Sequence, residues 1–269
     1  MNAAVAWIKA RSRWQLAAIA VFAGVLAWVL FHPEMRADHA DVDLDVLAAV
    51  QKTGFAATHS VRRVRYEITR SAMGEKQELV RSVEVLPPAA GVSERRSRTY
   101  QRENQSSTIE QGLGLTVGPI DLVGYSRANV PFLSDLLPYH FWGKRRLVRF
   151  DAAVDSGFPR ATGGTLRAAI MYRGHYATGE SEGDYSGTLD CDVVSVHAAS
   201  VVDASLPGEA ARLTCNEKLA FGTRSYAALR RGWYVFERNL WLPESRNETI
   251  GSGEFTLTLD EQFRLRELR

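Results

Sequence analysis

Few residues in this 269-residue chain combine a reactive type with a telling spacing. Cys191 and Cys215 are its two cysteines, and an even pair in an exported segment is expected to oxidise to a disulfide. Closing that loop of about 25 residues stabilises by roughly 3 kcal/mol in the chain-entropy model. No Cys-x-x-Cys is present to suggest a redox pair. The histidines at 32, 39, 59, 140, 175 and 197 form neither His-Glu-x-x-His nor any pair spaced i, i+4, so neither a zinc site nor any other cofactor is expected. Asp41-Val-Asp-Leu-Asp45 opens like a calcium loop, but the sixth position lacks its glycine and Lys52 stands where the bidentate acid belongs. No Ser-x-x-Lys occurs. Glu180, Glu182 and Asp184 are the one acidic group suited to glycoside hydrolysis, yet in a glycine-rich stretch they read better as charges that keep a loop solvated. No catalytic residue is assigned, and the chain is read as non-enzymatic.

The arginines carry more information. Arg62, Arg63, Arg65 and Arg70 fall on one expected strand, Arg95, Arg96, Arg98 and Arg102 on another, and Arg145, Arg146 and Arg149 on a third. Period-two alternation puts Arg63 with Arg65, and Arg96 with Arg98, on single faces. The plain reading is a solvated sheet face that discourages edge pairing. The functional reading is that Arg63, Arg65, Arg96, Arg98, Arg145, Arg146 and Arg149 recognise an anionic partner, either a phosphorylated lipid headgroup or an acidic protein. A second candidate surface is apolar. Phe132, Leu133, Leu136, Leu137, Phe141 and Trp142 sit between prolines in residues 130–142 and make either a plug for a β fold or an exposed patch for a partner or lipid. Gly112-Leu-Gly114 with Gly118 has the wrong spacing for a dinucleotide fingerprint.

These residues must be positioned by elements, and the first is an address. From Leu16 to Phe31 no side chain is polar. Residues 14–31 reach about 27 Å as a helix, close to a hydrocarbon core of about 30 Å. Lys9, Arg11 and Arg13 precede the run, and Glu34, Asp38, Asp41, Asp43 and Asp45 follow it. The positive-inside rule then predicts a cytoplasmic segment 1–13, a transmembrane signal-anchor 14–31, a juxtamembrane stalk with a short helix in 32–58, and a periplasmic domain 59–269. The run is longer than a cleaved signal's apolar core and ends in Trp-Val-Leu-Phe-His-Pro, which argues for retention. The formal charge of +2 comes from the anchor's basic flank, which leaves no argument for nucleic acid.

From residue 60 the apolar period changes to two, with turn chemistry near Gly74, Pro87-Pro88 and Pro207-Gly208. Ten to twelve strands with almost no helix predict an all-β domain, mainly an antiparallel sandwich or open barrel. Tyr226–Leu242 reads as one strand ended by Pro243, and residues 255–268 as a hairpin. The plan is similar to that of bitopic envelope proteins of Gram-negative bacteria, including lipopolysaccharide-transport components with one anchor and a periplasmic β-jellyroll. The likeness is one of architecture, with no shared motif. The expected function is a domain anchored in the bacterial inner membrane that binds or scaffolds envelope proteins. The alternatives are a carrier of an amphiphile such as lipid or lipopolysaccharide, lined by Trp142, Trp233, Tyr234 and Trp241, and an envelope hydrolase whose residues converge from distant positions.

Overall fold

In a computed structural model, residues 39–58, 63–72, 74–89, 91–105, 108–128, 144–175 and 183–269 are described. The expected anchor 14–31 lies outside them, and no described helix is long and apolar enough to cross a membrane. Two compact units divide the chain, residues 1–36 and residues 37–269.

The second unit is a single antiparallel sheet of twelve strands that closes on itself. The strands are β1 (Arg63–Ala72), β2 (Glu75–Ala89), β3 (Val92–Gln101), β4 (Thr108–Val117), β5 (Ile120–Ala128), β6 (Lys144–Val154), β7 (Thr165–His175), β8 (Gly183–Ala198), β9 (Glu209–Phe221), β10 (Arg224–Val235), β11 (Leu240–Ser252) and β12 (Phe255–Leu268). Each pairs with its neighbours in sequence, and β12 returns to β1 with Val64 opposite Leu268 and Arg70 opposite Glu261. The expected sandwich or open barrel is therefore corrected to a closed up-and-down barrel. A sandwich keeps edge strands, and closure removes them.

Two local expectations also change. Tyr226–Leu242 is the end of one strand and the start of the next, joined by a turn in which Asn239 takes φ 50°. Pro243 does not end that strand. It sits inside β11 opposite Gly232, where the ladder slips by a residue, a place where a missing N–H is tolerated. Residues 255–268 form one long strand and not a hairpin.

The short helix α1 (Leu44–Gln51) is capped by Asp43, whose carboxylate accepts from the Asp45 and Val46 backbone N–H groups, the expected use of an acid at a helix start. Its buried face is Val46, Leu47 and Val50. α1 packs on β6. Just before it, Asp41 accepts from Tyr125 Oη of β5 at 3.1 Å and pairs with Lys144 of β6 at 3.2 Å. That tie joins the same two strands, which pair among the described residues from Val123↔Arg146 to Tyr125↔Lys144. Beyond the helix the chain crosses the end of the barrel that holds the β4–β5, β6–β7 and β10–β11 connections. Phe55 packs edge-on against Phe158 and Tyr234, with ring centroids 5.3 and 4.9 Å apart. The Ala56 N–H donates to Tyr234 Oη, and Thr58 Oγ1 donates to the Asn239 carbonyl.

Inward positions on β7, β8 and β9 are apolar except for Glu217: Leu166, Ala168, Ile170 and Tyr172, then Leu189, Cys191 and Val193, then Leu213, Cys215 and Leu219. Cys191 and Cys215 stand directly opposite each other and form the expected disulfide. The other side of the lumen is different. A twelve-strand barrel encloses more space than an eight-strand one, which side chains just fill, and here the additional volume is occupied by charge.

Candidate functional site

The charged residues enter the lumen in step with apolar ones. β1 points Val64, Tyr66 and Ile68 inward, and the next position in that phase is Arg70. β2 presents Arg81 beside Leu79 and Val83, and on β12 Glu261 follows Leu257 and Leu259. Arg70 and Glu261 are cross-strand partners.

Three acid-centred groups result. In the first, Arg70 meets Glu110 through two parallel contacts, one of them Nη2–Oε2 at 2.9 Å, and donates from Nε and Nη2 to Glu261 Oε1 at 3.0 and 2.6 Å. Arg81 joins the same two carboxylates at 3.3 and 3.2 Å and gives Nε to Thr99 Oγ1. In the second, Arg145 pairs with Asp121 at 2.8 Å and Glu217 at 3.6 Å, with its guanidinium over the Tyr172 ring. Arg230 pairs with the other Glu217 oxygen at 2.7 Å and donates to the Pro119 carbonyl at 3.1 Å. In the third, Glu248 accepts from both Tyr226 and Arg246.

Burial alone would raise Glu261, but Arg81, Arg70 and Arg246 outweigh it and hold the carboxyl below its usual range. Asp121 behaves in the same way, with burial opposed by Arg145, Arg230 and Arg95. Both stay ionised at neutral pH, so neither is a proton donor of the kind a buried general acid supplies. Burial raises the Tyr226 and Tyr172 hydroxyls, which remain neutral.

Between these groups lies a cavity of about 260 Å³, walled by Arg70, Arg81, Arg95, Glu110, Arg145, Arg246, Glu248 and Glu261 among others. A smaller one of about 130 Å³ shares Arg81, Arg95, Asp121 and Arg246 with it and adds Arg230, Trp241 and Ser245. No group of described residues is arranged to hold a metal ion.

The structure divides the arginines expected to act together. Arg145 points into the lumen and is 7% exposed. Arg63, Arg65, Arg96 and Arg98 lie on the outer surface. Arg65 and Arg98 face Ser82 from its two sides, Arg63 and Arg96 likewise flank Glu84, and Arg96 also pairs with Glu94 at 2.7 Å. Arg149 is outside and paired with Asp151, and Arg146 is opposite Arg173 of β7. The expected apolar patch, Phe132, Leu133, Leu136, Leu137, Phe141 and Trp142, lies outside the described residues, as do Glu180 and Glu182. Asp184 is held by Arg173 at 2.6 Å. Of the aromatic residues named for an amphiphile, Trp142 lies outside the described residues and the other three do not gather round one space. Trp233 faces outward to Glu244 and His197, Tyr234 packs on Phe55, and Trp241 borders the smaller cavity.

The sequence also holds one serine motif. Gly179-Glu-Ser181-Glu-Gly183 has the Gly-x-Ser-x-Gly spacing of a nucleophile elbow. Gly183 is the first residue of β8, and the rest of the motif lies outside the described residues. The residues that sequence reasoning missed are the lumen acids Glu110, Asp121, Glu217, Glu248 and Glu261 and the lumen arginines Arg81, Arg230 and Arg246. Their signal was a charge at an inward position of an otherwise apolar alternation, as at Arg81 between Leu79 and Val83.

No family model, no curated protein and no solved structure matches this chain.

Proposed function

We propose that this protein is a non-catalytic binding module whose barrel receives a small polar ligand in its charged lumen, on the outer side of a bacterial inner membrane to which residues 14–31 tether it. One observation carries the reading. A cavity of about 260 Å³ in the barrel lumen is walled by arginines and carboxylates, where a structural barrel would fill it with apolar side chains. Six arginines (70, 81, 95, 145, 230 and 246) face five acids (110, 121, 217, 248 and 261) in and around the two cavities. The disulfide suits an oxidising compartment. The size and polarity of the space favour a compact hydrophilic ligand over an acyl chain.

The test is native mass spectrometry of the full chain purified from its membranes, paired with chemical analysis of what denaturation releases. A polar small molecule released in near-stoichiometric amount is the expected result. A lumen that neither arrives loaded nor takes up any polar compound from a metabolite mixture would sink the reading.

A second reading, docking to an acidic envelope protein, is favoured by the outer surface. Arg65 and Arg98 stand two strands apart, about 10 Å, with only Ser82 between them. Crosslinking in membranes checks it. A partner retained by the native chain should be lost from a variant carrying Arg65→Glu and Arg98→Glu, and retention by the variant removes this surface as the dock.

A further inference from the structure

The smaller cavity has a charge balance unlike that of the larger. It is bordered by Arg81, Arg95, Arg230 and Arg246 against one acid, Asp121. That acid is already committed to Arg145 at 2.8 Å and lies 3.8 Å from Arg230. Two of the arginines also have a buried donor to spare: Arg230 Nε and Arg246 Nε have no hydrogen-bond acceptor. A buried N–H left without an acceptor costs about 1–3 kcal/mol, more on a charged group, so these donors are stabilised by any acceptor that enters. Arg95 stands apart from the rest. Every other lumen arginine is ion-paired with a carboxylate, whereas no hydrogen bond or ion pair ties the Arg95 guanidinium to a described residue. It reaches the lumen from β3, opposite Gly114 of β4, whose missing side chain leaves space beside it. The six lumen arginines outnumber the five acids by one, so the set carries a net positive charge that favours an anion.

The larger cavity offers the complementary chemistry. Glu261 Oε2 is buried without a donor, and Ser97, Thr99, Gln111 and Glu110 share that wall. It is a surface for hydroxyl groups.

Resting on the reading of the barrel as a ligand-binding module, we propose that its ligand is a phosphorylated polyol. The phosphate sits in the smaller cavity against Arg95, Arg230 and Arg246, and the hydroxylated body fills the larger one. Arginine is suited to this because its planar fork meets two phosphate oxygens at once. A tetrahedral oxyanion has enough acceptors to meet all three guanidinium groups, which a carboxylate with two oxygens does less completely.

The experiment is isothermal titration of the full-length chain in detergent. The soluble probes are glycerol 3-phosphate and glucose 6-phosphate, set against glycerol, glucose and gluconate, and a third arm uses vesicles of phosphatidylglycerol against phosphatidylcholine. The native chain and Arg95→Gln are compared. Because no hydrogen bond or ion pair ties Arg95 to a described residue, Arg95→Gln should shift the melting temperature little, and Arg65→Gln on the outer surface serves as the control.

Binding of a phosphorylated soluble probe at least 100-fold tighter than its unphosphorylated counterpart, weakened tenfold or more by Arg95→Gln and unchanged by Arg65→Gln, supports the proposal. Vesicle binding that requires phosphatidylglycerol and is lost in Arg95→Gln supports the same site with a lipid headgroup as the source. Binding of glucose or gluconate as tight as that of glucose 6-phosphate, or phosphate binding indifferent to Arg95→Gln, overturns the phosphate assignment and leaves the binding barrel standing. If no probe binds, the phosphate assignment is overturned, and the barrel reading falls with it only when the purified chain also releases no small molecule.

Discussion

Glu261 shows how much of the lumen depends on single side chains. It is fully buried and takes hydrogen bonds from Arg70 and Arg81. Replacing it by alanine leaves Glu110 as the one carboxylate paired with both guanidinium groups. Removing one partner from a buried ion pair costs about 3–5 kcal/mol, and chemical denaturation of Glu261→Ala should show a loss of that size. A loss under 1 kcal/mol would mean that water already reaches this group freely.

The same carboxylates set an acid limit. Glu261 and Asp121 titrate lower in the folded barrel than in the unfolded chain, so they add stability that is fully present above the ordinary carboxylate range. It is lost as pH falls through that range toward their folded values. Stability followed from pH 7 downward should be level at first and then drop. In a variant with Asp121→Asn the drop should be shallower, because one contributing carboxylate is gone. An equal slope in both proteins contradicts the assignment for Asp121.

At the scale of elements, the two most constrained strands are β8 and β9. The disulfide joins them at Cys191 and Cys215, and they approach so closely at Gly187 that a Cβ there would lie 1.7 Å from the Lys218 carbonyl oxygen. Gly187→Ala must push the strands apart. It should lower the melting temperature clearly and speed amide exchange in β8 and β9 ahead of the other strands. The double variant Cys191→Ala with Cys215→Ala should lose roughly 3 kcal/mol in the chain-entropy account, read as the difference in unfolding free energy from the oxidised protein.

The sequence shows these elements unevenly. Alternation, turn glycines and the cysteine pair reveal the strands, the helix capped by Asp43 and the disulfide. They do not reveal closure, since the pairing of β1 with β12 joins residues about 200 positions apart and leaves no local trace. The site was hidden for a related reason. Arg70 and Arg145 look like members of surface clusters when counted by neighbourhood, and only their phase relative to Ile68 and Leu147 shows that they face inward. Pro243 misled because proline is a strong stop signal in a regular strand but a tolerated residue beside a register slip.

For the whole molecule, the lumen network ties distant parts of the chain into one cooperative unit. Arg70 of β1, Glu110 of β4 and Glu261 of β12 share one set of hydrogen bonds. A chain cut after residue 254 loses β12 and, with it, the acid that Arg70 and Arg81 share. It should fail to give a dispersed amide spectrum, and a native-like spectrum from that fragment would refute the central place of closure.

That closure also imposes a schedule. β1 is made early, yet one of its two edges has no partner until the last fourteen-residue strand is in place. During that interval it presents unpaired N–H and C=O groups to any neighbouring chain, and long-range pairing of this kind is slow. Copies made side by side therefore face a race between completing their own ring and lending an edge to one another. The wait, more than the finished barrel, is where crowding would cost this protein its yield.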